Sequence, residues 1–165
     1  MRLFFALWPP GATAHALADW ADAAQRATSG RRTAEGNIHL TLAFLGPADP
    51  LKAIAAARRV KGPAQGLPIE EARYLNRMVW VAPKQTPPAL AALHEKLALE
   101  LNREAFILER RPFAAHVTLI RDARRAPLPP LPSVEWPVHE FLLMRSSVSS
   151  RGATYEPLER FTLQP

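Results

Sequence analysis

Apolar positions along this chain keep two rhythms, short apolar runs and longer stretches spaced by three and four, and the two alternate. Leu3 to Trp8 is apolar and aromatic and is stopped by Pro9, Pro10 and Gly11, which predicts a buried strand. From Thr13 to about Thr28 an Ala-rich stretch sets Leu17, Trp20, Ala21 and Ala24 on one helical face. The polar stretch with Gly30, Arg31, Arg32 and Gly36 predicts a loop, and Ile38 to Leu45 a second strand, ended by Gly46-Pro47. Asp49-Pro50 predicts an N-cap and first helical residue for a helix reaching about Val60.

The second half repeats the alternation. Leu67 to Leu75 and Met78 to Val81 predict paired strands turning near Asn76. Thr86-Pro87 repeats the cap-then-proline signal ahead of a helix striped by Leu90, Leu93, Leu97 and Leu101. Phe113 to Arg121 predicts a strand. Between Ala126 and Pro137 stand Pro127, Pro129, Pro130, Pro132 and Pro137, which exclude a helix or central strand and predict a stiff connection. His139 to Met144 and Thr154 to Phe161 predict two last strands around a turn at Ser150-Arg151-Gly152.

The order contains a repeat. RLFFALWP, a helix, a loop and NIHLTLAFLG form one unit; RMVWVAP, a helix, a loop and PFAAHVTLIRD form another. Strand, helix and His-x-Thr strand therefore occur twice. This predicts one domain over residues 1–165, built of two pseudo-repeat lobes whose equivalent strands face each other across a central cleft.

Composition narrows the chemistry. A chain of 165 residues has the length of one domain. Its 21 Lys and Arg against 15 Asp and Glu leave a formal charge of +6, which favours an anionic partner such as nucleic acid. The absence of cysteine excludes disulfides, Cys nucleophiles and Cys-based zinc sites together. The apolar run from Leu3 to Trp8 is too short for the ~7–15-residue core of a signal peptide, so a cytoplasmic protein is expected.

The candidate chemistry lies in the repeated strands. Side chains two apart on a strand share a face, so His39 with Thr41, and His116 with Thr118, point one way while their apolar neighbours point into the core. One such strand is ordinary. Two in equivalent units bring together two imidazoles and two hydroxyls. One imidazole can strip a proton from an attacking oxygen while the other protonates the leaving oxygen, each contributing typically ~10²–10⁴-fold in rate. The hydroxyls can donate to phosphoryl oxygens as charge develops. Metal binding is the rival use of the histidines, but no HxxxH, HxH or HExxH spacing exists, and neither strand has an acidic residue on its histidine face. No metal and no cofactor are expected. His15, His94 and His139 are expected to be solvated or structural. Arg121, five positions after His116, falls on the opposite face by strict alternation and reaches the pocket only if the strand bends or ends there. Arg151, in its glycine-containing turn, is a further candidate for binding phosphate.

NIHLTLAFLG and PFAAHVTLIRD resemble the paired His-x-Thr motifs of the 2H phosphoesterase superfamily. With RLFFAL, RMVWVAP and SSRGATYEPLERF, the resemblance extends over nearly the whole chain to the bacterial RNA 2′,3′-cyclic phosphodiesterases, also called 2′-5′ RNA ligases. It implies an α/β fold with antiparallel sheets lining a central cleft and helices outside. It implies metal-independent opening of a terminal 2′,3′-cyclic phosphate to a 2′-phosphomonoester, with His39 as proton donor to the leaving 3′-oxygen and His116 as the acceptor that activates water. Thr41 and Thr118 would hold phosphoryl oxygens, and Arg121 matches the arginine that follows the family's second motif. RNA ends bearing a 2′,3′-cyclic phosphate, or small cyclic nucleotides, would be the substrates of a monomeric enzyme. The same residues would serve 2′-5′ joining in reverse. The reading from another class is a non-catalytic binder of nucleotides or 2′-5′-linked oligonucleotides. The chain has Ala114-Ala115-His116 where close relatives often carry His-Pro-His.

Overall fold

The computed structural model describes residues 1–165. In chain order the elements are β1 (Arg2–Leu7), α1 (Gly11–Thr28), β2 (Arg31–Arg32), β3 (Leu40–Pro47), α2 (Pro50–Arg58), β4 (Gln65–Ile69), β5 (Glu71–Leu75), β6 (Met78–Ala82), α3 (Pro88–Arg103), β7 (Val117–Arg121), β8 (Val134–Val138), β9 (Glu140–Ser149) and β10 (Gly152–Thr162). A turn of 3-10 helix, Glu35–Asn37, precedes β3. The fold is α/β with antiparallel pairing in every sheet, as the family resemblance implies. One four-stranded sheet runs β10-β9-β1-β3, a second runs β2-β7-β6-β5, and β4 pairs with β8 alone.

Local chemistry explains most boundaries. The Asp49 carboxylate accepts the Leu51 N–H at 2.9 Å and Pro50 opens α2, the predicted cap. Helix α1 buries Leu17, Trp20, Ala21 and Ala24, and ends at Ser29, whose left-handed backbone (φ 56°) lets its N–H bond the Gln25 carbonyl. Helix α3 buries its predicted leucines but starts at Pro88, with Pro87 at the cap position. Thr86 is therefore no cap. Its Oγ1 accepts the Ala115 N–H at 3.2 Å instead and ties down the approach to β7.

Three further expectations change. Arg31 and Arg32 are not loop but a short edge strand, paired with Arg121 and Ile120 of β7. A Cβ at Gly30 would collide with the Ile120 side chain and stand 2.7 Å from the Arg121 carbonyl, so glycine is what lets this edge close. The predicted strand Leu67–Leu75 breaks at Glu70 into β4 and β5, which belong to different sheets. The proline-rich connection ends at Ser133, because Val134–Val138 pair with β4. That strand has a single partner, so Pro137 interrupts no central ladder. Upstream of it, the Pro129 and Pro130 carbonyls both accept the Trp20 indole N–H at 3.1 Å.

One contiguous apolar core takes in Leu3, Phe5 and Leu7 of β1, the inward faces of α1 and α3, Leu40 and Leu42 of β3, and Val117 and Leu119 of β7. The opposite face of the first sheet carries a small separate cluster, Phe4, Ala6, Leu142 and Met144, with Trp8 and Tyr155 packed against it. No helix is long and apolar enough to cross a membrane.

Candidate active site

His39 and His116 each immediately precede a strand whose first residue, Leu40 or Val117, is fully buried. Each ring is held in the same two ways. His39 Nδ1 lies 2.7 Å from the Asn37 carbonyl, and His116 Nδ1 lies 2.9 Å from the Ala114 carbonyl. A carbonyl only accepts, so each Nδ1 carries the hydrogen and the reactive nitrogen of both rings is Nε2. Each ring also stacks on an indole. Trp8 lies 4.7 Å from His39 at an interplanar angle of 4°, and Trp80 lies 4.2 Å from His116 at 24°.

Both strands then carry the same irregularity. Along β3, Ala6 pairs with Thr41 and Phe5 with Ala43, skipping Leu42; along β7, Trp80 pairs with Thr118 and Val79 with Ile120, skipping Leu119. Each skipped leucine is a β-bulge, one extra residue that shifts the side-chain alternation. Leu42 and Ala43 are accordingly both buried, as are Leu119 and Ile120. The next residue turns onto the face of the threonine. In β7 that residue is Arg121, so the obstacle posed by strict alternation is removed by the bulge.

His39, Thr41, His116, Thr118, Arg121 and Arg151 all line one cleft of about 340 Å³. Its walls come from both sheets, with Arg31 and Arg32 from β2 and Tyr155 from β10, and include no Asp or Glu. Arg31 is bonded to Asp122 at 2.6 Å and Arg32 to Asp22 at 2.9 Å. Arg121 and Arg151 have no carboxylate partner and are the cations left for a ligand. No group of three His, Asp or Glu side chains gathers to hold a metal ion.

Burial sets the protonation of His39. It is packed by Phe4, Trp8 and Tyr155, with ring centres at 5.3, 4.7 and 5.2 Å. Desolvation holds its pKa below the ordinary 6.5. The Asn37 carbonyl pulls it up against that trend, and the nearby Arg121 and His116 push it further down. The Asp122 carboxyl is held below its usual range by the hydrogen bond and charge of Arg31.

No family model matches the chain. It is 36% identical over 169 residues to the RNA 2′,3′-cyclic phosphodiesterase of Escherichia coli (strain K12), covering 98% of this chain and 96% of that protein. This chain belongs to the RNA 2′,3′-cyclic phosphodiesterase family. A second relative of that name, from Thermus thermophilus, is 30% identical over 182 residues, 99% of this chain and 91% of that one. The crystal structure of E. coli LigT complexed with 3′-AMP superposes with a TM-score of 0.87 at 32% identity, covering 99% of this chain and 98% of that chain.

Within this member of the family, the residues that sequence reading missed are the supports around the histidines. The only trace of Trp8 and Trp80 in the repeat is an indole shortly before the proline that follows each first strand, one residue before Pro9 and three before Pro83, so the two are out of register when the prolines are aligned. Tyr155, contributed by the distant β10, leaves no such signal. The remaining histidines differ among themselves. His15 is exposed beside Glu35 (3.4 Å) and Asp19 (3.9 Å), and His139 is exposed. His94 stacks on Phe113 at 4.2 Å and is shifted below 6.5 by burial.

Proposed function

We propose that this protein hydrolyses 2′,3′-cyclic phosphates at RNA ends to 2′-phosphomonoesters, using two histidines and no metal. The observation that carries this reading is the pair of imidazoles, each with Nδ1 bonded to a backbone carbonyl, in one carboxylate-free cleft with two threonines and two unpaired arginines. Water attacks phosphorus as His116 Nε2 takes its proton. The bond from phosphorus to the 3′-oxygen breaks, and His39 Nε2–H protonates that oxygen. Thr41, Thr118 and Arg121 donate to the non-bridging oxygens, where negative charge builds. Arg151 adds a second cation from its turn.

A proton donor must begin charged, whereas burial favours neutral His39. The phosphate resolves this opposition, since an anion within ~4–6 Å stabilises the imidazolium. The donor form is thus assembled with the substrate. If a ribose 5′-hydroxyl replaces water, the same groups perform 2′-5′ joining. The order of elements supports a single domain of two lobes, with β1-α1-β3 and β6-α3-β7 as counterparts. The cytoplasm is the proposed location, because RNA ends are the substrate in this reading.

The test uses an oligoribonucleotide ending in a 2′,3′-cyclic phosphate, incubated with the protein in EDTA, with separation of 2′- from 3′-phosphate products. The expected product is the 2′-phosphate. His39→Ala and His116→Ala are each expected to lower kcat by at least ~10²-fold. Tight binding without turnover in the wild-type protein would leave a nucleotide-binding module in place of the enzyme.

A further inference from the structure

The carbonyl that holds His116 belongs to a peptide unit that is itself held from behind. Residues 112–116 lie in no helix or strand, so no ladder of backbone bonds fixes the approach to β7. The Ala114 carbonyl accepts His116 Nδ1–H at 2.9 Å. The N–H of the same peptide, that of Ala115, donates to Thr86 Oγ1 at 3.2 Å. The peptide is trans, so its two polar groups point opposite ways and the two bonds pin it at both ends. The bond made by the N–H also polarises the peptide and strengthens its carbonyl as an acceptor.

The first lobe reaches the same arrangement by other means. There the Asn37 carbonyl holds His39 at 2.7 Å. The N–H of that peptide, that of Ile38, donates to the Glu35 carbonyl at 3.3 Å across the 3-10 turn. Each imidazole thus hangs on a peptide fixed through its N–H. In the first lobe the fixing group is local backbone; in the second it is a side chain 29 residues upstream, just ahead of α3.

Resting on the reading of His116 as proton acceptor given above, we propose that Thr86 is a positioning residue for the hydrolysis. Its hydroxyl sets the Ala114–Ala115 peptide, and that peptide sets the tautomer and aim of His116. Acceptance of a proton at Nε2 requires the ring hydrogen to sit on Nδ1, and the Ala114 carbonyl is what keeps it there. Without the hydroxyl, the N–H of Ala115, a residue 5% exposed, loses its partner. Thr86, Ala115 and His116 line a cavity of about 120 Å³, which gives the freed peptide room to turn and carry its carbonyl away from the ring. The device also needs a residue other than proline at 115, because proline has no N–H. Ala115, in the Ala114-Ala115-His116 run, supplies one.

Histidine ring NMR of the free protein, above the histidine titration range, tests this without turnover. His116 is expected as the Nδ1–H tautomer in the wild-type protein and in Thr86→Ser, which keeps the acceptor oxygen. Thr86→Val is expected to populate the Nε2–H tautomer at His116 and to leave His39 unchanged. In the hydrolysis assay, Thr86→Val is expected to lower kcat roughly 10- to 100-fold with KM little changed, a misplacement of about 1 Å being enough to cost ~10²-fold. Thr86→Ser is expected to retain most of the rate. In an Ala115→Pro background, where no N–H awaits a partner, Thr86→Val is expected to alter neither readout. Should Thr86→Val fail to fold, Thr86→Ala removes the same oxygen and carries the same expectations. A folded Val or Ala variant that keeps His116 as Nδ1–H overturns the proposal, as does an effect that persists in the Ala115→Pro background. A shifted tautomer with kcat intact overturns the reading of His116 as proton acceptor, and with it the catalytic role of Thr86.

Discussion

His39 has three aromatic rings around it, and its burial among them penalises the charged form, outweighing the Asn37 carbonyl, which bonds Nδ1 and favours that form. Its folded pKa therefore lies below the 6.5 of an unfolded chain. Between these two values the unfolded chain binds more protons than the folded one, so stability falls as pH drops through this window and levels off below the folded value. Half-buried His94 acts with the same sign. Histidine ring NMR of the free protein is expected to show His39 titrating below 6.5. Addition of adenosine 3′-monophosphate is expected to raise the midpoint, because the phosphate favours the imidazolium. Trp8→Ala, which opens one face of the ring to water, is expected to move the free-protein value up toward 6.5. A midpoint that ignores the nucleotide would remove the substrate-assembled donor from the mechanism.

Elements position these residues through irregularities rather than through ideal geometry. The bulges at Leu42 and Leu119 decide which side chain joins each threonine on the cleft face, and Gly30 decides how closely β2 approaches the second of them. Gly30→Ala drives a methyl group into Ile120 and the Arg121 carbonyl. Overpacking of this kind costs about 1–3 kcal/mol and displaces β7. Urea melts are expected to show that loss, with a fall in kcat/KM as Arg121 shifts. Gly11→Ala, whose Cβ meets nothing within 4 Å, is expected to show neither effect. This dependence on bulges explains what the sequence discloses. The apolar rhythm and the caps at Asp49-Pro50 are local, so strands, helices and the His-x-Thr faces are legible. LTLAF and VTLIR read as regular strands, and nothing local in them marks the skipped leucine. The side on which Arg121 lies, and the outward turn of Phe44, come from pairing with β6 and β1. Thr86 misleads for the same reason: its hydroxyl has a local use as a cap and a distant one at Ala115, and the distant one holds.

At the scale of the molecule, the cleft is assembled from segments that sequence separates widely. The chain leaves the first sheet after β1, adds β2 to the second sheet, and returns to the first as β3. The β9–β10 hairpin brings Arg151 and Tyr155 to the same cleft from the far end of the chain. The outcome is a concentration of uncompensated positive charge where the backbone brings the reactive groups together, while most other arginines are matched by carboxylates. Recognition of an RNA end should therefore depend on salt through the cleft and not through the overall charge of +6. Binding of a short oligoribonucleotide with a 3′-terminal phosphate, measured across a salt series, is expected to weaken linearly on logarithmic axes. Arg121→Gln and Arg151→Gln are each expected to make the slope shallower by about 0.7, the counterion release for one phosphate contact on a single strand. Arg103→Gln removes the same charge from α3, where Glu100 pairs it at 2.9 Å, and is expected to leave the slope in place. Equal slopes for all three variants would mean that the protein's general field draws in the RNA. A change confined to the two cleft variants would mean that the phosphate sits between the sheets, beside both histidines.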